Sequence, residues 1–113
     1  MDNSKKGRSA RNKGADGERE LANILKGYGY ETRRGQVFNH QSDVIGLDGI
    51  HPEVKRVEKL NVQVAMEQAI SEAQVRQDGI PTVFHRRNRK GWLVTMQLED
   101  WVKIYEGWRS NGR

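Results

Sequence analysis

The triplet Glu53-Val54-Lys55 is the clearest chemical pattern in the sequence, because no other acidic residue is followed by lysine two positions later. Alternate side chains of a β-strand project from the same face, so Glu53 and Lys55 would lie side by side while Val54 points into a core. Acidic and basic residues often pair in this way on exposed sheets. The triplet therefore indicates a catalytic site only if the fold brings other polar residues close to it.

Two further carboxylates are expected to approach this pair. Asp43 opens the preceding predicted strand, and Glu18 falls on the apolar face of the first predicted helix, where a carboxylate without a cation is costly. Such a cluster repels itself unless a divalent cation neutralises it, and oxygen ligands of this type suit Mg²⁺ or Mn²⁺. Water held by that ion can attack a phosphodiester, and Lys55 can orient the water or balance charge on the phosphate. The pattern thus predicts metal-dependent phosphodiester hydrolysis.

The turn at Asp48-Gly49 decides how Asp43 meets the triplet. A two-residue hairpin loop would place Asp43 on the same face as Val54. A three-residue loop with a left-handed Gly49 would instead set Asp43 opposite Glu53. We therefore expect the bulged register, or an Asp43 located where its strand bends.

The elements that must position these residues are predicted in the order α-β-β-β-α-β-β-α. This order is typical of an α/β (α+β) domain in which helices pack against a mixed sheet. Apolar residues at helical spacing, with Asp16 and Asn61 as N-caps, predict helices over residues 16–28, 61–77 and 98–108. Alternating and β-rich segments predict strands over residues 30–34, 43–47, 50–57, 82–86 and 92–96, with a loop at 35–42.

Length and composition exclude several classes of protein. The 113 residues correspond to one domain, which we place at residues 14–113 after a flexible basic arm at residues 1–13. The absence of cysteine excludes disulfides, thiolate zinc sites and cysteine nucleophiles, and it fits a cytoplasmic protein. The short apolar segments predict no membrane span and no signal peptide.

The net charge of +5 is concentrated in two places. The N-terminal arm contains the basic residues Lys5, Lys6, Arg8, Arg11 and Lys13 with a single acid. The turn before the last predicted strand contains Arg86, Arg87, Arg89 and Lys90. Basic arms and patches are typical of nucleic-acid binding, and we add Arg34 to this candidate surface. A solvated tail and a solvated turn explain the same charges without a partner.

The motifs in this order and spacing resemble the PD-(D/E)XK nuclease superfamily. The resemblance lies in Gly17-Glu18-Arg19-Glu20 at a helix start, in Ser42-Asp43-Val44-Ile45, and in Glu53-Val54-Lys55 before a helix. The closer similarity is to archaeal-type Holliday junction resolvases and to related small phage-type endonucleases. Residues 79–83 and 91–94 are similar to the strand pair that closes the resolvase fold, so the resemblance covers about residues 14–96. Ser42 stands where the name of the superfamily has proline.

This resemblance implies a restriction-endonuclease-like core and a role for each site residue. Asp43 and Glu53 would ligate Mg²⁺, together with the carbonyl of Val54, and Mn²⁺ would substitute for it. Glu18 would bind the metal or its waters, and Lys55 would assist the attacking water. In related nucleases a glutamine on the following helix supports the site, and Gln68 is the best-placed candidate, ahead of Gln74.

We interpret the protein as a Mg²⁺-dependent endodeoxyribonuclease, with branched DNA such as a Holliday junction as the expected substrate. This interpretation implies a role in DNA recombination or repair, in the cytoplasm of a prokaryotic or phage-infected cell. Resolving a four-way junction needs two paired cuts, so we expect a homodimer that uses the last helix or a sheet edge.

Two alternatives stay open. The chain could be a non-catalytic nucleic-acid-binding module, in which Glu53 and Lys55 form an ordinary ion pair, or a nicking or flap nuclease on the same fold. Glu18 favours an enzyme, because a binding module gains nothing from an inward carboxylate. The histidines at 40, 51 and 85 follow no zinc-binding spacing and are expected to be structural. The aromatic residues Trp101, Tyr105 and Trp108 are expected to pack in the core or at a dimer face.

Overall fold

A computed structural model describes residues 3–36 and 41–112, with side chains described from residue 14 onward. The elements follow the predicted order. They are α1 (Asn3–Gly27), β1 (Arg33–Arg34), β2 (Val44–Ile45), β3 (Ile50–Arg56), α2 (Val62–Arg76), β4 (Ile80–Arg86), β5 (Leu93–Met96) and α3 (Leu98–Ser110). His40 and half of the predicted loop at 35–42, namely residues 37–40, lie outside the described residues.

The main sheet has the order β3-β4-β5 and is mixed, as predicted. β3 and β4 are parallel, with Glu53 opposite Val83, and β4 and β5 are antiparallel. Parallel neighbours need a crossover connection, which α2 provides between β3 and β4. Pro52 can occupy β3 because, among the described residues, this strand pairs with β4 along only one edge.

The turn at Asp48-Gly49 forms, but the hairpin ladder expected after it does not. The amide of Ile50 donates to the carbonyl of Leu47 at 3.1 Å, and Gly49 has a φ of +86°. β2 pairs with β1 in a separate two-stranded sheet, and no ladder between β2 and β3 is found in the described part of the chain. Neither hairpin register is therefore correct. Asp43 lies at a bend immediately before β2, as in the other expected arrangement, in which Asp43 is located where its strand bends.

Helix α1 begins at Asn3 rather than at Asp16. The intervening residues contain no proline, and extending an existing helix costs far less than nucleating a new one. The segment predicted as an arm is therefore helical in its backbone from Asn3 onward, and its division from the domain stays a prediction. At the other end, the amide of Tyr30 donates to the carbonyl of Leu25. Tyr30 therefore belongs to the end of the helix, and β1 begins at Arg33 rather than at residue 30.

Two clusters of apolar side chains lie on opposite faces of the main sheet. One joins α1 to the strands, and its buried members are Leu21, Ala22, Val44, Val54 and Phe84. The other joins α2 to β4, and its buried members are Ala65, Met66, Ala69 and Val83. The small residues of α2 pack as predicted, whereas Tyr28, predicted on the apolar face of α1, is exposed.

Helix α3 differs most from expectation. Its predicted apolar face stays exposed, and among its described residues only Asp100 is buried. Trp101 stacks on Tyr105 with ring centroids 5.1 Å apart, and Trp108 lies beyond Tyr105. Helical periodicity identifies an apolar face, but it does not decide whether another part of the fold covers that face. In the described part of the chain, no helix is long and apolar enough to cross a membrane.

Candidate active site

A side-chain bond to the backbone brings Asp43 to the triplet on β3. The amide of Val54 donates to Oδ2 of Asp43 at 2.8 Å. Because Val54 separates Glu53 from Lys55, this bond anchors the carboxylate of Asp43 beside both. Nζ of Lys55 lies 3.5 Å from Oε1 of Glu53, and Glu53 is only 3% exposed. Three of the predicted site residues are thus held together by β3.

Glu18 reaches the same place from α1. A Cβ at the preceding Gly17 would lie 2.9 Å from the Cβ of Arg56, so glycine permits the close approach of α1 to β3. Nε of Arg34 donates to Oε1 of Glu18 at 2.9 Å and orients its carboxylate. Glu18, Asp43, Glu53 and Lys55 line one cleft of about 400 Å³. The structure therefore brings the four predicted residues together, while their roles stay a prediction.

Ionising all three carboxyl groups of this cleft at once is unfavourable, and their pKa values are raised. Burial raises the pKa of Glu53 to about 8, with further contributions from Asp43 and from Glu72 on α2. Burial also raises the pKa of Asp43, despite the hydrogen bond from Val54, and it raises the pKa of Glu18 with help from Asp43. A divalent cation would relieve this repulsion, and carboxylate oxygens suit Mg²⁺ or Mn²⁺. The donor set therefore fits the predicted ion.

Glu72 and His51 adjoin the cleft, and neither was predicted from the sequence to belong to the site. Burial raises the pKa of Glu72, but the interactions of its carboxyl group with Glu53 and Gln68 outweigh burial and leave that pKa lowered. His51 could have been found from strand alternation, which puts it on the same face of β3 as Glu53 and Lys55. No local signal indicates Glu72.

The two candidate glutamines differ in position. Nε2 of Gln68 donates to Oε1 of Glu72 at 3.3 Å, so Gln68 meets the carboxylate cluster through Glu72. Gln74 lines a different cleft, beside Ala73 and Gln77. A supporting role for Gln68 stays a prediction.

The predicted basic surface divides into paired and exposed residues. Arg86 donates to both oxygens of Glu20, at 2.6 and 2.8 Å, and its guanidinium lies 5.8 Å from the ring centroid of Trp92. Arg34 is paired with Glu18. The basic side chains exposed at the β4–β5 turn are Arg87, Arg89 and Lys90. The basic side chains at positions 5, 6, 8, 11 and 13 lie outside those described, and binding of nucleic acid by all these residues stays a prediction.

Comparison with known proteins gives a likeness of fold. No family model matches the chain, and neither does any curated protein. The structure is similar to the 1.6 Å structure of Hjc, a Holliday junction resolvase from the archaeal hyperthermophile Archaeoglobus fulgidus, with a TM-score of 0.55 and 23% identity. The match covers 74% of this chain and 72% of Hjc. The predicted class is confirmed: the chain has a mixed α/β fold with a restriction-endonuclease-like core.

Proposed function

We propose that the protein is a divalent-metal-dependent endonuclease that hydrolyses phosphodiester bonds in DNA. The observation that carries this proposal is the meeting of Glu18, Asp43 and Glu53 with Lys55 in one cleft. The amide of Val54 holds the carboxylate of Asp43 there. The likeness of fold to a resolvase supports it independently. An ordinary ion pair between Glu53 and Lys55 would not need the two additional acids.

Each residue of the cleft has a distinct task in this proposal. Asp43 and Glu53 would hold Mg²⁺ with the carbonyl of Val54, and Glu18 would bind the ion or its waters. The chemistry that the ion supplies is Lewis-acid activation of water and of the phosphodiester. Lys55 is 28% exposed at its side chain, so Nζ can reach a water or a phosphate oxygen in the cleft. Its ammonium orients the attacking water and balances charge that develops on the phosphate.

The basic residues supply affinity for the DNA backbone. Arg87, Arg89 and Lys90 are exposed on the turn between β4 and β5, and the N-terminal segment adds five more basic residues. Phosphate contacts release counterions, so binding falls steeply as the salt concentration rises.

Branched DNA is the substrate that we propose, and a homodimer is the active form. A four-way junction needs two paired cuts, and each chain offers one cleft of this kind among its described residues. The exposed aromatic face of α3 supplies an apolar surface for a second copy, since patches of this type mark interaction sites. A nicking or flap nuclease on the same fold is the second candidate, because the cleft chemistry is the same for any duplex.

A panel of synthetic DNA substrates tests this function. We expect the protein with Mg²⁺ or Mn²⁺ to cut a four-way junction in preference to nicked, flapped and linear duplexes. Asp43→Asn should abolish cleavage, although asparagine can still accept from the amide of Val54. Asp48→Asn is the matched control, because Asp48 is exposed and an Asn-Gly turn forms equally well.

The panel also separates the alternatives. Equal cutting of all four substrates would contradict junction specificity and retain the nuclease. Binding of DNA without any cleavage, with either metal, would contradict the nuclease and favour a binding module.

A further inference from the structure

A second group of metal-ligating side chains adjoins the proposed active site. Ligand atoms of His51, Glu53 and Glu72 all lie within 4.8 Å of one another. His51 and Glu53 project from the same face of β3, and Glu72 approaches them from α2. Nε2 of His51 is 3.7 Å from Oε2 of Glu72. Two ligand atoms that each lie about 2.1 Å from one ion can be at most about 4.2 Å apart. The pair at 3.7 Å meets this limit, and the widest separation in the group, at most 4.8 Å, needs only a small inward movement.

Two of the polar atoms in this group are buried without a hydrogen-bond partner. His51 is fully buried, and in the described part of the chain neither its Nε2 nor Oε2 of Glu53 has a hydrogen-bond partner. Buried polar atoms in folded proteins are almost always satisfied, and a site for an ion is one of the established explanations for an exception. A cation between these atoms would satisfy both.

The other side of the imidazole is arranged to leave Nε2 available. Nδ1 of His51 lies 2.8 and 2.9 Å from the two carboxylate oxygens of Asp78 and 3.0 Å from Oγ of Ser42. An ionised carboxylate can only accept, so Nδ1 carries a proton that it donates to Asp78. In a neutral imidazole, the lone pair is then on Nε2, which faces Glu53 and Glu72. A carboxylate behind a histidine in this way is typical of metal ligands.

We propose that His51, Glu53 and Glu72 form a second divalent-cation site, in which Asp78 positions the histidine and Glu53 is shared with the first site. One imidazole nitrogen with two carboxylates favours an ion such as Mn²⁺, Co²⁺ or Zn²⁺ over Mg²⁺. The inference goes beyond the proposed function, because His51 and Glu72 take no part in the reaction described above and the site can be detected without DNA.

The alternative without a metal is a doubly protonated His51 that forms ion pairs with Asp78 and Glu72. Electron spin-echo spectroscopy of Mn²⁺ bound to the full chain distinguishes the two, because it detects coupling between the ion and an imidazole nitrogen. We expect two bound Mn²⁺ ions by calorimetry and nitrogen coupling from one of them. Glu72→Gln should weaken the binding of one of the two Mn²⁺ ions by about tenfold or more, and it should remove the nitrogen coupling.

Asp43→Asn provides the reciprocal variant, since it should weaken the binding of the other Mn²⁺ ion and leave the nitrogen coupling in place. Glu67→Gln, at an exposed position of the same helix, is the matched control and should change neither measurement. Glu72 is a safer position for substitution than His51, because it is partly exposed whereas His51 is fully buried.

Bound Mn²⁺ without nitrogen coupling would overturn the second site, and so would coupling that survives in Glu72→Gln. The result is separable from the proposed function. Cleavage of DNA with no nitrogen coupling contradicts only the second site, whereas nitrogen coupling without cleavage contradicts only the nuclease.

Discussion

The carboxylate of Asp43 accepts a hydrogen bond from the backbone amide of Val54 at 2.8 Å, and this bond joins the bend before β2 to the middle of β3. In a regular hairpin, a backbone carbonyl would occupy that position. The side chain takes its place, so the carboxylate lies between the two polar side chains of the triplet rather than on the far face. This hydrogen bond therefore fixes the path of the chain before β2 and places Asp43 in the cleft.

Replacement of Lys55 tests its part in catalysis. We expect Lys55→Ala to lower the rate of cleavage by about 10²–10³-fold, because the developing charge loses its nearest ammonium. The side chain is partly exposed, so the melting temperature should change little. Single-turnover cleavage of the four-way junction measures the effect, with Lys26→Ala at the exposed end of α1 as the control. A variant that cuts as fast as the parent contradicts the role of Lys55.

The exposed basic turn should contribute affinity but no chemistry. Substitution of Arg87, Arg89 and Lys90 by glutamine removes up to three phosphate contacts. The slope of log affinity against log salt should therefore become shallower by up to about 2.7. Fluorescence anisotropy of labelled DNA at several salt concentrations measures the slope. An unchanged slope would show that this turn does not contact the phosphate backbone.

The ion pair between Arg86 and Glu20 should affect stability in a pH-dependent way. The hydrogen bonds from Arg86 lower the pKa of Glu20, burial opposes them, and a further bond from Nε1 of Trp92 adds to the lowering. A lowered pKa stabilises the fold above the unfolded pKa of about 4.3, and this stability is lost as the pH falls through the folded pKa. Glu20→Gln should cost about 1 kcal/mol at pH 7.

Urea denaturation at pH 7 and pH 3 measures this difference. At pH 3 the free energies of unfolding of parent and Glu20→Gln should converge, because the carboxyl is increasingly protonated in the parent. Glu106→Gln, at an exposed pair on α3, should show almost no effect at either pH. A larger cost at pH 3 than at pH 7 would contradict the assigned direction of the pKa shift.

The exposed face of α3 should hold two chains together. Trp101→Glu introduces a charge where the aromatic rings of Trp101 and Tyr105 stack, and it should convert a dimer to a monomer in sedimentation experiments. Helix α3 packs little against the other described elements, so the fold itself should survive. Glu106→Lys, which reverses a well-exposed charge on the same helix, is the control. A parent chain that sediments as a monomer at all concentrations contradicts the proposed interface.

Local patterns in the sequence determined most of the elements and part of the site. Asn61 caps α2 by accepting from the amide of Val64 at 3.1 Å, and Gly49 supplies the positive φ of its turn. Strand alternation likewise determined that Glu53 and Lys55 share a face. These features depend on neighbours along the chain, so residue type and spacing are sufficient to predict them.

Tertiary structure decided which distant residues meet. The pairing of β2 with β1, and the bond from Val54 to Asp43, replaced the ladder that the turn had suggested. His51 and Glu72 follow no metal-binding spacing in the sequence. They meet only because the crossover from β3 to α2 brings the helix back over the strand. The apolar face of α3 has the period of a core helix, yet it is exposed in the monomer. Periodicity specifies that a surface is apolar, whereas packing against other parts of the fold, or against another chain, decides what covers it.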